Sequence, residues 1–179
     1  MKKLSCALAA SAIIALTPTI TSAQETTQDS SYISLGLGMY DAFRAADIYD
    51  NVDFSAMDFR IEYRSKDIGL PFNLKPWAGL EFTSDSSKWL GGGLLYDWRA
   101  TENIIITPNA GVGLYDEGSS KLDLDGTVEF RLQLEAAYEF KNKHRLGLAV
   151  GHISNADTAD RNPGTEIVNL YYHIPFNGF

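Results

Sequence analysis

Cysteine is nearly absent from this 179-residue chain: the single one, Cys6, lies near the start of an apolar run over residues 4–16. Lys2 and Lys3 before that run, with Thr21, Ser22 and Ala23 after it, predict a secretory signal peptide over residues 1–23, cleaved after Ala23. A lipoprotein signal would carry its cysteine at the far end of the run. A lipid anchor is therefore excluded, and the processed chain has neither thiol nor disulfide. Positive charge is scarce as well. Without Lys2 and Lys3, 13 basic side chains face 23 acidic ones, a formal charge of −10. That excludes nucleic acid, which calls for a basic face. Beyond residue 23 no stretch reaches the ~18 consecutive apolar residues of a membrane helix. The remaining 156 residues suit one domain, with residues 24–30 (QETTQDS) as a short, polar, flexible lead and 31–179 as the folded body.

What the chain has in abundance is alternation with a period of two. In residues 32–40, Ile33, Leu35, Leu37 and Met39 alternate with Ser34, Gly36 and Gly38. In 56–64, Met57, Phe59, Ile61 and Tyr63 oppose Asp58, Arg60, Glu62 and Arg64. The pattern returns over 74–83, 88–98, 103–115, 127–140, 145–154 and 165–176, making eight strands. No helix is convincing, although residues 41–55 have room for a short helical turn. Connectors at 41–55, 84–87, 116–126 and 155–164 alternate with those at 66–73, 99–102 and 141–144, the rhythm of an antiparallel, up-and-down sheet.

Alternation alone does not say which face is inside. A soluble barrel places apolar residues inward, whereas a membrane barrel turns them outward and tolerates a polar, charge-paired lumen. Several features favour the membrane. The strands are long, and the polar face carries many glycines (36, 38, 91, 93, 111, 113) that suit a narrow lumen. Tyr40, Tyr63, Trp98, Tyr138 and Phe176 sit at strand ends, where an interfacial girdle would lie. The predicted fold is all-β, an eight-stranded antiparallel up-and-down transmembrane β-barrel. Its charged lumen residues Arg60, Glu62, Glu129, Arg131 and Glu135 are expected to pair with one another and plug it.

With the first strand starting in the periplasm, the seventh ends and the eighth begins at the cell exterior. Residues two apart share a face. His152 and Ser154 therefore share theirs with Leu146, Leu148 and Val150, and Glu166 shares its face with Val168, Leu170 and Tyr172. In an antiparallel pair Glu166 can oppose His152 or Ser154 but not Ile153. A Ser beside a His that is held by an acid is the arrangement of nucleophilic acyl transfer. On spacing alone, three rim polar residues meeting lipid head groups are the commoner outcome, and Pro163-Gly164 reads most simply as a turn. His144 falls at an inner turn and His173 lies far below Glu166.

The run H-I-S-N-A, then N-P-G-T-E, then an apolar strand ending I-P-F resembles the carboxy-terminal signature of the PagL-type lipid A 3-O-deacylases, densely over residues 151–176. That resemblance implies an outer-membrane serine esterase that hydrolyses the acyl chain at position 3 of lipid A. It implies His152, Ser154 and Glu166 as the triad, and Asn155, Asn162 and the backbone near Gly164 as the oxyanion hole. No metal and no cofactor are expected. The implied partners are lipopolysaccharide and outer-membrane lipids, and a homodimer is compatible with them. Arg44, Lys88, Lys121 and Arg161 on the outer loops are candidate contacts to lipid A phosphates. Two rival classes stay open at this point: a non-catalytic outer-membrane barrel with a structural or adhesive role, and a soluble ligand-carrying barrel.

Overall fold

The computed structural model describes residues 29–40, 42, 56–120 and 123–176. The expected signal peptide, lead residues 24–28, Arg44, Lys121 and nearly all of the 41–55 connector lie outside the described residues. Nine strands follow in order: β1 (Ser31–Tyr40), β2 (Met57–Arg64), β3 (Lys75–Thr83), β4 (Lys88–Leu95), β5 (Trp98–Arg99), β6 (Ile104–Asp116), β7 (Val128–Glu139), β8 (Arg145–Ser154) and β9 (Thr165–Phe176). Eight of them form a closed ring. Each long strand is antiparallel to the next, β1 closes on β9, and β4 pairs directly with β6. The period of two gives each long strand two faces, an apolar one turned outward and an inward one of charged, polar, glycine and aromatic residues. The outer wall exposes Leu35, Leu37, Ile61, Leu90, Leu132, Leu134, Leu148 and Leu170, among others. This is the membrane barrel, not the soluble one.

The fourth strand is shorter than its alternation suggests. Residues 88–98 read as one strand, yet β4 stops at Leu95 and Trp98–Arg99 forms a separate two-residue pairing with β6. The register with β6 is unchanged across the gap, and Asp97 keeps the inward parity of Leu95. Its carboxylate turns into the barrel mouth, accepting hydrogen bonds from Thr107 Oγ1 (2.8 Å) and Arg145 Nη1 (2.9 Å). Tyr40 also departs from expectation: it is 2 % exposed and packs inside with Trp77, Trp89 and Leu124, so it belongs to no interfacial girdle. Tyr63, Trp98 and Tyr138 do face outward at the end of the barrel where β1 begins.

The lumen is filled by two devices. Trp77 and Trp89 stack with centroids 5.9 Å apart, and the Arg131 guanidinium lies over the Trp77 ring at 4.0 Å. Space for those indoles comes from glycine: a Cβ on Gly111 would fall 2.4 Å from Trp77 Cζ2, and one on Gly113 2.5 Å from Trp89 Cε2. Beside the rings runs an ion network. Arg60 bridges Asp58 and Glu81 (both 2.7 Å), Arg64 bridges Glu62 (3.0 Å) and Glu135 (2.9 Å), and Arg131 reaches Glu62 (2.6 Å). Pairing thus covers four of the five charges expected to plug the lumen. Glu129 is the exception: it is fully buried, and among the described residues neither carboxylate oxygen has a hydrogen-bond partner. It stands nearer the end where β1 finishes, above the level at which the arginines cluster.

Removing one member of a buried ion pair strands the other, at a cost of about 3–5 kcal/mol. Arg131→Met should lower the stability of the barrel by that order in urea titrations of the lipid-inserted protein. The double variant Arg131→Met, Glu62→Gln should recover part of the loss.

Candidate active site on the outer wall

The site forms where β8 ends and β9 begins. Cross-strand register sets His152 directly opposite Glu166, one of the two pairings that parity allowed. His152 Nδ1 lies 3.4 Å from Glu166 Oε1, and the two side chains are 45 % and 42 % exposed. Ser154 is two residues further along β8 and on the same face, a rise of about 6.6 Å. On the other side, β7 sets Leu132 opposite His152 and Phe130 opposite Ser154. Both are exposed on the wall, as is Val150 below. Three polar side chains therefore interrupt an apolar surface within two adjacent levels of its upper rim.

The loop over residues 155–164 completes the site. Its reversal falls at Ala156 and Asp157, with φ of +55° and +62°, closed by the bond from Thr158 N to Asn155 O (3.1 Å). The expected turn at Pro163-Gly164 does not form: residues 161–164 show neither turn nor bend. Gly164, buried and with φ of +59°, is the last residue before β9 and sits against the imidazole of His152. Asn162 is exposed beside it.

Asn155 follows Ser154 and turns inward, fully buried. Its Nδ2 donates to the carbonyls of Leu124 (2.9 Å) and Arg161 (2.7 Å), and its Oδ1 accepts from Asp157 N (3.0 Å). This amide is a staple between two loops, with both of its hydrogens spent on that task. A second tie runs in parallel. Arg161 N donates to Asp125 Oδ2 (2.6 Å), and Arg161 Nη2 meets Asp123 Oδ2 (2.5 Å) and Asp125 Oδ1 (3.0 Å). The Arg161 hydrogen bond holds the Asp123 carboxyl below the usual carboxylate range. Residues 123–126 were not among the expected site residues. Their only sequence cue is acidic charge, which points to no partner 36 residues away.

Of the cations expected to meet phosphates, Arg161 is engaged by these aspartates and Lys88 lies 3.8 Å from Asp116. The other histidines are elsewhere. His173 is buried in the lumen between Ser34 Oγ (2.7 Å) and Glu135 Oε1 (2.8 Å), and His144 packs beside Tyr172 at the opposite end. Among the described residues no group of three or more His, Cys, Asp and Glu side chains is arranged to hold a metal ion.

Comparison with known proteins bears on the family and the fold. The chain matches the family model described as lipid A 3-O-deacylase (PagL) over residues 10–175. No curated protein sequence matches it significantly. Its fold is similar to the crystal structure of the outer membrane enzyme PagL, at 19 % identity and a TM-score of 0.58, covering 81 % of this chain and 99 % of that one. It is also similar to a de novo designed transmembrane β-barrel (11 % identity, TM-score 0.54, 84 % and 100 % covered). A third likeness is to Neisserial surface protein A (12 %, 0.54, 82 % and 96 %). At these identities the structural likenesses speak for the barrel alone; the family match spans nearly the whole chain. This chain belongs to the PagL family of lipid A 3-O-deacylases, ester hydrolases of the outer membrane.

Proposed function

We propose that this chain removes the 3-linked acyl chain of lipid A by a Ser-His-Glu mechanism, with Ser154 as nucleophile, His152 as general base and Glu166 as the acid that orients it. One observation carries the reading: His152 and Glu166 are directly opposed on the outer wall with Nδ1 and Oε1 3.4 Å apart, and Ser154 stands next along the same face. Catalytic hydrogen bonds are commonly long before substrate binds and tighten afterwards. In the reacting complex of this mechanism Glu166 accepts from Nδ1–H, which leaves Nε2 as the acceptor for the Ser154 proton.

The chemistry then runs in two halves. Ser154 Oγ attacks the acyl carbonyl while His152 takes its proton. The tetrahedral intermediate collapses, the sugar oxygen leaves with the proton returned by His152, and an acyl-Ser154 ester remains. Water, deprotonated by His152, attacks that ester and frees the fatty acid and the serine. Lipid A lies in the outer leaflet with its esters just under the head groups. A site on the outside wall at the rim receives such a substrate by lateral diffusion.

The developing oxyanion needs donors near Ser154. Because the Asn155 side chain is committed to Leu124 and Arg161, we assign this role to the Asn162 amide and to backbone N–H groups, at Asn155 and near Gly164. The part played by the Asn155 side chain is then to hold the loop that carries them.

Mass spectrometry of lipid A from cells expressing each variant tests the triad. Ser154→Ala and His152→Ala should lose on the order of 10⁴-fold or more, with Glu166→Ala keeping a measurable residue. Wild-type product in all three would sink the assignment. A separate comparison tests the donors. Asn162→Ala should cost roughly 10²–10³ in kcat, the usual loss for one oxyanion donor, without altering loop order. Asn155→Ala should lower kcat and also raise proteolytic cleavage within residues 155–164.

A further inference from the structure

The imidazole of His152 bridges two levels of β9. Its Nδ1 meets Glu166, while the adjoining Cε1–Nε2 edge overlies the residue two positions earlier. A Cβ built on Gly164 would fall 2.7 Å from His152 Cε1 and 3.1 Å from His152 Nε2. The β8–β9 register, continued one step past its last pair, Ile153 with Thr165, sets Gly164 across from Ser154. The ring thus extends from the level of the acid to the level of the nucleophile. The room for its Nε2 edge is the room that Gly164 leaves.

We propose that Gly164 is a positioning residue for the reaction, its missing side chain forming the seat that lets His152 keep Nδ1 on Glu166 while Nε2 faces Ser154. This rests on the reading of His152 as the base. The outer side of the ring is open, because the His152 side chain is 45 % exposed toward the lipid. A methyl group under the ring would therefore push it outward, away from the wall. Misplacing a catalytic group by about 1 Å can cost 10²-fold in rate.

Gly164 also has a left-handed backbone, with φ of +59°, where any residue with a Cβ is strained. That effect must be separated from the contact, and the chain contains its own control. Gly69 has φ of +82°, and a Cβ there would meet nothing within 4 Å. Gly69→Ala therefore carries backbone strain without a clash. Asn tolerates the left-handed region better than Ala yet brings the same Cβ. Gly164→Asn keeps the clash while relieving the strain.

The experiment is steady-state deacylation of lipid A in mixed micelles by purified, folded barrels, with folding checked by heat-modifiable migration on gels. Gly164→Ala and Gly164→Asn should each lower kcat by about 10²-fold, with KM and the folded fraction close to those of Gly69→Ala. In a Glu166→Ala background, where the ring is no longer held, adding Gly164→Ala should cost only a few-fold, since effects acting through one shared partner are not additive. The proposal is overturned if Gly164→Asn is as active as wild type, or if the losses from Gly164→Ala and Glu166→Ala simply multiply. Full activity of His152→Ala would instead remove the base assignment beneath it, and the proposal with it.

Discussion

The attachment of β9 to the inside of the barrel is the constraint from which the rest follows. Its inward residues are fastened to three other strands: Asn169 Nδ2 to Asp58 (2.7 Å) and the Tyr171 hydroxyl to Glu62 (3.0 Å), both on β2, and His173 to Ser34 on β1 and Glu135 on β7. A slip of one residue would exchange the faces of the whole strand. It would bring those polar groups into lipid and turn Glu166 into the lumen. The buried charges are costly to desolvate and add little net stability as a class. What they do here is make one register far better than its neighbours, and that register presents Glu166 to His152 on the outer wall.

The site is therefore an outward expression of an inward network. Its electrostatics differ from those of a solvent-filled cleft. His152, Ser154 and Glu166 are flanked by Phe130, Leu132, Val150 and Val168, so water is sparse on the wall side and polar attractions are screened less than in bulk solvent. Above them the loop over residues 155–164 is tied down by a buried amide and by an exposed charge cluster. Of these the Asn155 staple matters more, because its amide is fully buried and a lost buried hydrogen bond leaves a desolvated group unpaired, whereas exposed ion pairs such as Arg161 with Asp123 contribute little.

Strand positions were legible in the sequence because alternation reports directly on a two-faced environment, as in 57–64 and 128–139. The shared outward face of the three candidate residues was legible for the same reason. Parity assigned His152, Ser154 and Glu166 to one face and limited Glu166 to two partners, and the family resemblance named their roles. What alternation leaves out is the identity of a partner. It told that Glu129 faces inward but not that it would lack a cation, and it suggested a girdle for Tyr40 although its position opposite to Met39 in the pleat sends it inside. It did not show that Asp97 would meet Arg145, 48 residues away. The Asn155 staple joins residues 31 apart through a backbone carbonyl, which has no side-chain signature at all.

The central claim is that an activated serine faces hydrocarbon at the rim of the barrel. Treating the lipid-inserted protein with a long-chain alkyl fluorophosphonate and mapping the modified residue by peptide mass spectrometry tests this most directly. The account predicts a single phosphonylated residue, Ser154, formed with loss of fluoride and much more slowly in His152→Ala. Modification at another residue, or none under conditions where the protein deacylates lipid A, would contradict it.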